Sequence, residues 1–279
     1  MKKCLTILAI GLFTLPTYAQ RTQEVVTAEL AFAQHALDHS VRQAFIQYAD
    51  SQGVVFGGGK VRKALRMFTA MPESPISLLW HPAFSGMAKS GELGFTTGPY
   101  TSQAHAPLPD TSITAGHYST IWYKNKAGQW KFLLDIGINY PTSLYKQQEL
   151  YQASNERLVP SSHAVLGQVM DTNALAPEMV FIRKFQSEGL SVYRQVIMPE
   201  TWFNIEGQQP VTHVEDVEKD LSRIPGTLRF KPIAGGMSES RDFAYVYGTV
   251  TNEGKQEFYL RVWVHTSLGW KLLLQTLRS

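Results

Sequence analysis

"GQWKFLLDIG" at residues 128–137 is nearly rewritten as "LGWKLLLQTL" at residues 268–277. Trp130, Lys131 and Leu134 recur as Trp270, Lys271 and Leu274, but Asp135 becomes Gln275. A strand written twice, with a carboxylate in one copy only, predicts a duplicated sheet whose halves differ in chemistry. The echo extends outward. "MAKSGELGFTTG" (87–98) aligns with "MSESRDFAYVYG" (237–248), setting Ser90 against Ser240 and Glu92 against Asp242. "HYSTIWYKNKAGQWKFLL" (117–134) aligns with "FYLRVWVHTSLGWKLLL" (258–274), setting Trp122 against Trp263. The spacing between copies shrinks toward the C-terminus, as it does when loops differ in length between related sheets.

Each copy reads as helices followed by strands. In the first, "TQEVVTAELAFAQHALDHS" carries Val25, Ala28, Phe32 and Leu37 at helical spacing. "VRQAFIQYA" predicts a second helix, "GVVF" a short strand and "KVRKALRMFT" a third, basic helix. "ISLLWHPAF", "GELGFTTGPYT", "SITAGHYSTIWYK" and "QWKFLLDIGI" predict four strands, the last hairpin turning at Lys-Ala-Gly 126–128. In the second copy, helices are expected near 161–186 and 213–222, and strands near 189–197, 227–236, 240–250, 256–266 and 269–277. This is an α+β layout. The expected division is a signal peptide at 1–19, a first domain at 24–140, a polar linker at 141–155 and a divergent second domain at 156–279.

Lys2 and Lys3, the apolar run Leu5–Leu15 and Thr17-Tyr18-Ala19 have the form of a secretory signal cleaved near Ala19. That predicts a periplasmic or secreted protein with no membrane anchor, because the run is shorter than the roughly 20 residues a span needs. Cys4 is the only cysteine and lies within this segment, so disulfides, thiolate zinc sites and cysteine nucleophiles are excluded from the mature chain. Losing two lysines lowers the formal net charge from +3 to +1. Nothing in that balance favours nucleic acid or an anionic membrane.

The order helix, helix, strand, helix and curved antiparallel sheet resembles the nuclear transport factor 2-like fold. "LLWHPAF", "SGELGFTTGPY" and "GHYSTIWYKNKAGQWKFLLDIG" resemble its SnoaL-like branch, whose members are largely of unknown function. The resemblance is specific over 78–137, looser over 24–70 and weak over 227–277, where Phe230-Lys231-Pro232 stands for Trp80-His81-Pro82. It implies two cystatin-like cones, each with N-terminal helices packed on a curved sheet around an apolar pocket. Such cones serve ketosteroid isomerase-like enzymes, cyclases and dehydratases, and also plain binding or dimerising modules.

Asp135 is the leading acid/base candidate, since a carboxylate among apolar residues has its pKa raised by desolvation. Strict alternation, however, puts Trp130, Phe132, Leu134 and Ile136 on the inner face and Lys131, Leu133, Asp135 and Gly137 on the outer one, unless a bulge resets the phase. His117 shares a face with Asp135 if Gly128 closes the hairpin as a bulge, and Tyr100 is the third candidate. Trp80, Tyr118, Thr120, Trp122 and Trp130 are expected to line or fill the cavity.

Other features carry less. His35 and His39 stand one helical turn apart but lack a third ligand, so no metal is expected. "FGGGK" (56–60) is not a phosphate loop, because Val61 stands where Ser or Thr is required; Arg62, Lys63 and Arg66 remain as an attraction for an anion. Ser90 and Ser119 lack a nucleophile-elbow context. No cofactor is implied. Three classes follow: a binder of a small apolar or amphipathic molecule in the first cone, an acid/base enzyme there, or a scaffold with filled cones. Outer-face pairing of the two domains is expected, with Leu133, Asp135, Leu273 and Gln275 near the contact and room for further dimerisation.

Overall fold

The computed structural model describes residues 18–104, 113–161, 174–212, 219 and 221–278. The signal segment through residue 17 therefore lies outside the described residues, as does most of the helix expected at 213–222.

The first unit opens with α1 (Tyr18–Asp38) and α2 (Val41–Tyr48). Between them Ser40, in extended backbone, accepts a hydrogen bond from the Gln43 amide at 3.1 Å and so caps α2. There follow β1 (Ala49–Gly57), β2 (Lys60–Lys63), α3 (Ala64–Ala70), β3 (Ile76–Trp80), β4 (Phe84–Met87), β5 (Leu93–Ala104), β6 (Thr114–Lys124), β7 (Trp130–Tyr140) and β8 (Tyr151–Gln152). The sheet runs β2-β1-β7-β6-β5-β4-β8, with β3 also on β5; β1 lies parallel to β7. The second unit has α4 (Ala176–Glu188), α5 (Tyr193–Val196), β9 (Trp202–Ile205), β10 (Arg229–Met237), β11 (Phe243–Asn252), β12 (Lys255–Thr266) and β13 (Gly269–Leu277). Its sheet runs β10-β11-β12-β13-β9. Val54 pairs with Leu134 in the first sheet, and Trp202 pairs in parallel with Leu274 in the second, so β9 is the counterpart of β1. Both units are helix-covered curved sheets.

Four local expectations are corrected. The front half of "KVRKALRMFT" is a strand, not a helix: Gly58 and Gly59 at φ 57° and 69° turn the chain back so that Lys60–Lys63 pairs with β1. "ISLLWHPAF" is two strands, broken at His81-Pro82. Residues 189–197 form a 3₁₀ turn and the short α5 rather than a strand, since Val192 and Tyr193 are drawn into the helical layer of the core; a short apolar run does not distinguish the two by itself. The expected linker contributes β8, which pairs with β4.

The decisive local feature is a bulge in β7. Trp122 pairs with Phe132, but Ile121 pairs with Leu134, leaving Leu133 unopposed. The extra residue reverses which side chains face inward from that point on. Trp130 and Phe132 face the helices, and after the bulge so do Asp135, Gly137 and Asn139, while Leu134 and Ile136 face away. β13 repeats the device at Leu273, between Val262–Leu274 and Trp263–Leu272.

The faces turned away from the helices meet. Phe95, Ile121, Leu134 and Ile136 share one apolar cluster with Phe243, Leu260, Val262 and Leu274. Phe84 stacks on Trp202 with centroids 5.0 Å apart and planes within 8°. At the centre Asn204 donates to Thr97 Oγ1 at 2.9 Å and Ser119 Oγ at 3.1 Å, and Ser119 lies 2.6 Å from Thr276. Toward one end the Ser90 amide bonds Ser240 Oγ and the Ser240 amide bonds Ser90 Oγ, at 3.0 and 3.1 Å. Such reciprocity is the mark of an isologous contact, here within one chain. Leu133 and Leu273 do reach this contact. Asp135 and Gln275 do not, because the bulges turn them inward.

Candidate functional site

Asp135 sits midway along β7, between Val55 of β1 and Thr120 of β6. Its Oδ2 accepts a hydrogen bond from Thr120 at 2.7 Å, and the carboxylate borders a cavity of about 330 Å³. Phe32, Phe45, Trp80, Tyr100 and Tyr118 contribute the aromatic wall. Burial lifts the Asp135 pKa to about 7, offset in part by Thr120 and reinforced by the negative charge of Glu29. The outward orientation expected from alternation thus fails, and the physical reason is the Leu133 bulge.

Glu29 is the residue that strand patterns did not reveal. It is fully buried on α1. Its Oε1 accepts from Trp80 Nε1 at 2.6 Å, and its Oε2 from Trp122 Nε1 at 2.9 Å and from the Thr96 hydroxyl. Burial raises its pKa; the donated bonds counter part of that. The available signal was an acid inside the helix stripe Val25, Ala28, Phe32, a position that normally goes to an apolar residue.

The other candidates divide between places. Tyr100 lines the cavity, donates to Asn139 Oδ1 at 2.7 Å, and has its pKa pushed up to about 12 by burial and the nearby Glu206. Gly116 makes room for its ring, since a Cβ there would come within 2.6 Å of it. Tyr118 also lines the cavity, and its buried hydroxyl lies near Thr96 with no well-aligned hydrogen bond among the described residues. Thr120 backs Asp135; Trp122 fills the interior and serves Glu29. Trp130 faces a separate cleft beside Lys124, whose ammonium lies 5.8 Å from its ring centroid. His117 does not join Asp135. The hairpin does close at Gly128, with φ 76°, but the bulge shifts the register so that His117 pairs with Ile138 and points to the opposite face. There it lies 3.1 Å from the Tyr140 hydroxyl and 3.0 Å from Gln148 Oε1, and burial depresses its pKa to about 3.

The His35 and His39 rings lie with centroids 4.4 Å apart and planes tilted by 43°, and the described residues contain no group of three metal-ligating side chains. Ser119 and Ser90 serve the contact between sheets. No described helix is long and apolar enough to cross a membrane.

The second unit places different chemistry at the matching positions. Arg261 opposes Gln275 on the neighbouring strand, as Thr120 opposes Asp135. Glu178 of α4 accepts from Trp263 Nε1 at 3.0 Å, as Glu29 does from Trp122. The fully buried Arg261 guanidinium bonds Glu178 at 2.5 Å, Gln275 at 2.7 Å and the Tyr193 hydroxyl at 3.3 Å. Burial alone would lower its pKa, but Glu178 and the adjacent tyrosines outweigh that and keep it charged. The interior of this unit holds its own cation.

No protein-family model matches the chain, and no curated protein matches it. Solved structures similar to it include nuclear transport factor 2-like and ketosteroid isomerase-like proteins. A ketosteroid isomerase-like protein from Erwinia carotovora atroseptica is 14% identical with TM-score 0.37, over 44% of this chain and 99% of its own. A nuclear transport factor 2-like superfamily protein from Salmonella enterica serovar Typhimurium is 11% identical with TM-score 0.36, over 46% and 96%. A nuclear transport factor 2-like protein of unknown function from Shewanella oneidensis is 18% identical with TM-score 0.33, over 42% and 97%.

Proposed function

We propose that the first unit binds a small, largely apolar molecule and exchanges a proton with it through Asp135. The observation that carries this reading is the placement of Asp135 on the cavity wall with a pKa of about 7. A group that is half protonated near neutrality is suited both to take and to return a proton. Tyr100 and the Tyr118 hydroxyl are the polar groups positioned to orient a ligand oxygen or nitrogen, and the aromatic wall supplies the apolar contact. The acid/base reading therefore ranks above simple binding, with His117 removed from it. The second unit, whose interior holds Arg261, is the non-catalytic partner. Tandem duplication fits the matched strand pairings and bulges, with domains near 24–140 and 156–279. Export fits the basic and apolar leader, and the lack of any other cysteine agrees with either compartment.

The test is proton exchange. Carbonyl compounds that raise the melting temperature are incubated with the protein in D₂O, and deuterium incorporation at carbon is read by mass spectrometry. Exchange that is catalysed by the wild type and at least 100-fold slower with Asp135→Asn supports the reading. Equal exchange with both, for compounds that do bind, sinks the catalytic half and leaves binding.

A further inference from the structure

The guanidinium of Arg261 shows what the matching space in the first unit is shaped to hold. It lies 4.3 Å from the Phe181 ring centroid, 4.0 Å from Phe230 and 4.9 Å from Tyr259, in an aromatic cage closed by Glu178 and Gln275. Cations held against several aromatic faces gain from each ring quadrupole, most strongly where water is excluded. The first unit repeats that cage. Phe32 follows Glu29 by three residues, as Phe181 follows Glu178. Trp80 precedes His81-Pro82 where Phe230 precedes Lys231-Pro232. Tyr118 and Tyr259 sit two residues before Thr120 and Arg261. Phe32, Trp80 and Tyr118 all line the cavity, and none of the described lining residues is a lysine or arginine. The aromatic residues are present, with Phe32 and Trp80 closed edge to face at 5.0 Å where Phe181 and Phe230 stand 6.4 Å apart, and the cation is missing.

Two substitutions make the exchange coherent. Thr120 in place of Arg261 removes the internal guanidinium, and the Asp135 it hydrogen-bonds lines the open cavity. Asp135 in place of Gln275 adds a second carboxylate near Glu29, so the first unit concentrates negative charge where the second unit has a neutralised pair. Trp80 Nε1 takes the donor position that an Arg261 nitrogen holds on Glu178, which satisfies Glu29 and leaves Asp135 as the carboxylate open to the cavity. Two buried acids with no basic partner are costly unless a proton or an external cation is supplied.

We propose that the first-unit cavity recognises the cationic head of a small organic molecule, a guanidinium or alkylammonium group resting against the aromatic wall of Phe32, Trp80 and Tyr118 and paired with Asp135. The inference rests on the reading of this cavity as a small-molecule site and narrows its ligand class. It also assigns the second unit a meaning: Arg261 is a tethered stand-in for that ligand.

The probe is propylguanidinium, the arginine side chain freed from its backbone, compared with neutral propylurea. Binding to the full chain is followed by aromatic NMR shifts and calorimetry. The wild type is expected to bind the cation at least tenfold tighter than the urea. Asp135→Asn should weaken the cation at least tenfold, and Thr120→Arg should abolish its binding while the protein stays folded, because the chain then supplies its own guanidinium. Equal affinity for cation and urea overturns the proposal, as does cation binding untouched by Thr120→Arg. If neutral amphipathic compounds enter the cavity and no cation does, the ligand class is wrong and the site reading survives. If nothing of either kind enters, both fall. As a second arm, Arg261→Ala should open a matching cavity, and propylguanidinium should restore a measurable part of the lost melting temperature. No such rescue, with the variant folded, counts against the stand-in.

Discussion

Replacing Asp135 by Asn should stabilise the protein, and more so the higher the pH. In the folded chain the carboxyl has a pKa of about 7, against an ordinary value of 3.8. The folded state therefore holds this proton over a range where the unfolded chain has released it. The contribution to stability is full below about pH 4 and is lost as pH rises through 7. At about 1.4 kcal/mol per pKa unit, the three-unit gap makes the ionised side chain cost roughly 4 kcal/mol by pH 8.5. Asparagine keeps the shape and still accepts the Thr120 hydrogen bond, but never ionises. The assay is urea unfolding of wild type and Asp135→Asn at pH 4.5, 6.5 and 8.5, with the difference between them as the readout. Taking the difference matters because His117 has the opposite pH slope. Its neutral buried form, with a pKa of about 3, is favoured as pH rises through the ordinary histidine range. The two slopes offset each other in the wild type between about pH 4 and 6.5 and separate only by subtraction. The expected advantage of the variant is about 1 kcal/mol at pH 4.5 and about 4 kcal/mol at pH 8.5. An advantage that does not change with pH refutes the raised pKa, and with it the proton-exchange role.

Three further outcomes are expected. Arg261→Met strands Glu178 in the core and should cost about 3–5 kcal/mol, most of it recovered when Glu178→Leu is added, as read from urea midpoints. Asn204→Ala removes the donor shared by Thr97 and Ser119 between the sheets and should cost about 1–3 kcal/mol without changing ligand affinity in the first-unit cavity. The His117 ring should remain neutral by NMR at pH 5, whereas a protonated signal at that pH contradicts its burial between Tyr140 and Gln148.

The repeat was legible because it is written in large residues. Trp122 and Trp263, or Trp130 and Trp270, mark the same strands in both copies, and the helix-then-strand order follows from apolar spacing. The chemistry was half legible. The Asp135-to-Gln275 change announced that the copies differ, yet alternation assigned Asp135 to the wrong side. A bulge has no residue signature in "KFLLDIG": Leu133 and Leu134 are interchangeable to a pattern that counts apolar positions, and only pairing with Ile121 and Trp122 tells them apart. Glu29 and Glu178 escaped notice because a single acid in a helix stripe reads as an edge residue until its tryptophan partners, some 93 and 85 residues away, are in place. Arg261 was likewise an ordinary strand residue until its cage closed around it.

One unopposed leucine in each last strand has a consequence for how this protein can change over time. Removing Leu133 would slide every later side chain of that strand across the sheet at once. Asp135 would leave the cavity and enter the seam with the second sheet, and Leu134 and Ile136 would make the reverse journey. A single-residue deletion there damages two places for one event, so new chemistry in either cone must arrive by exchange of side chains at fixed positions. Thr120 against Arg261, and Asp135 against Gln275, are exchanges of that kind.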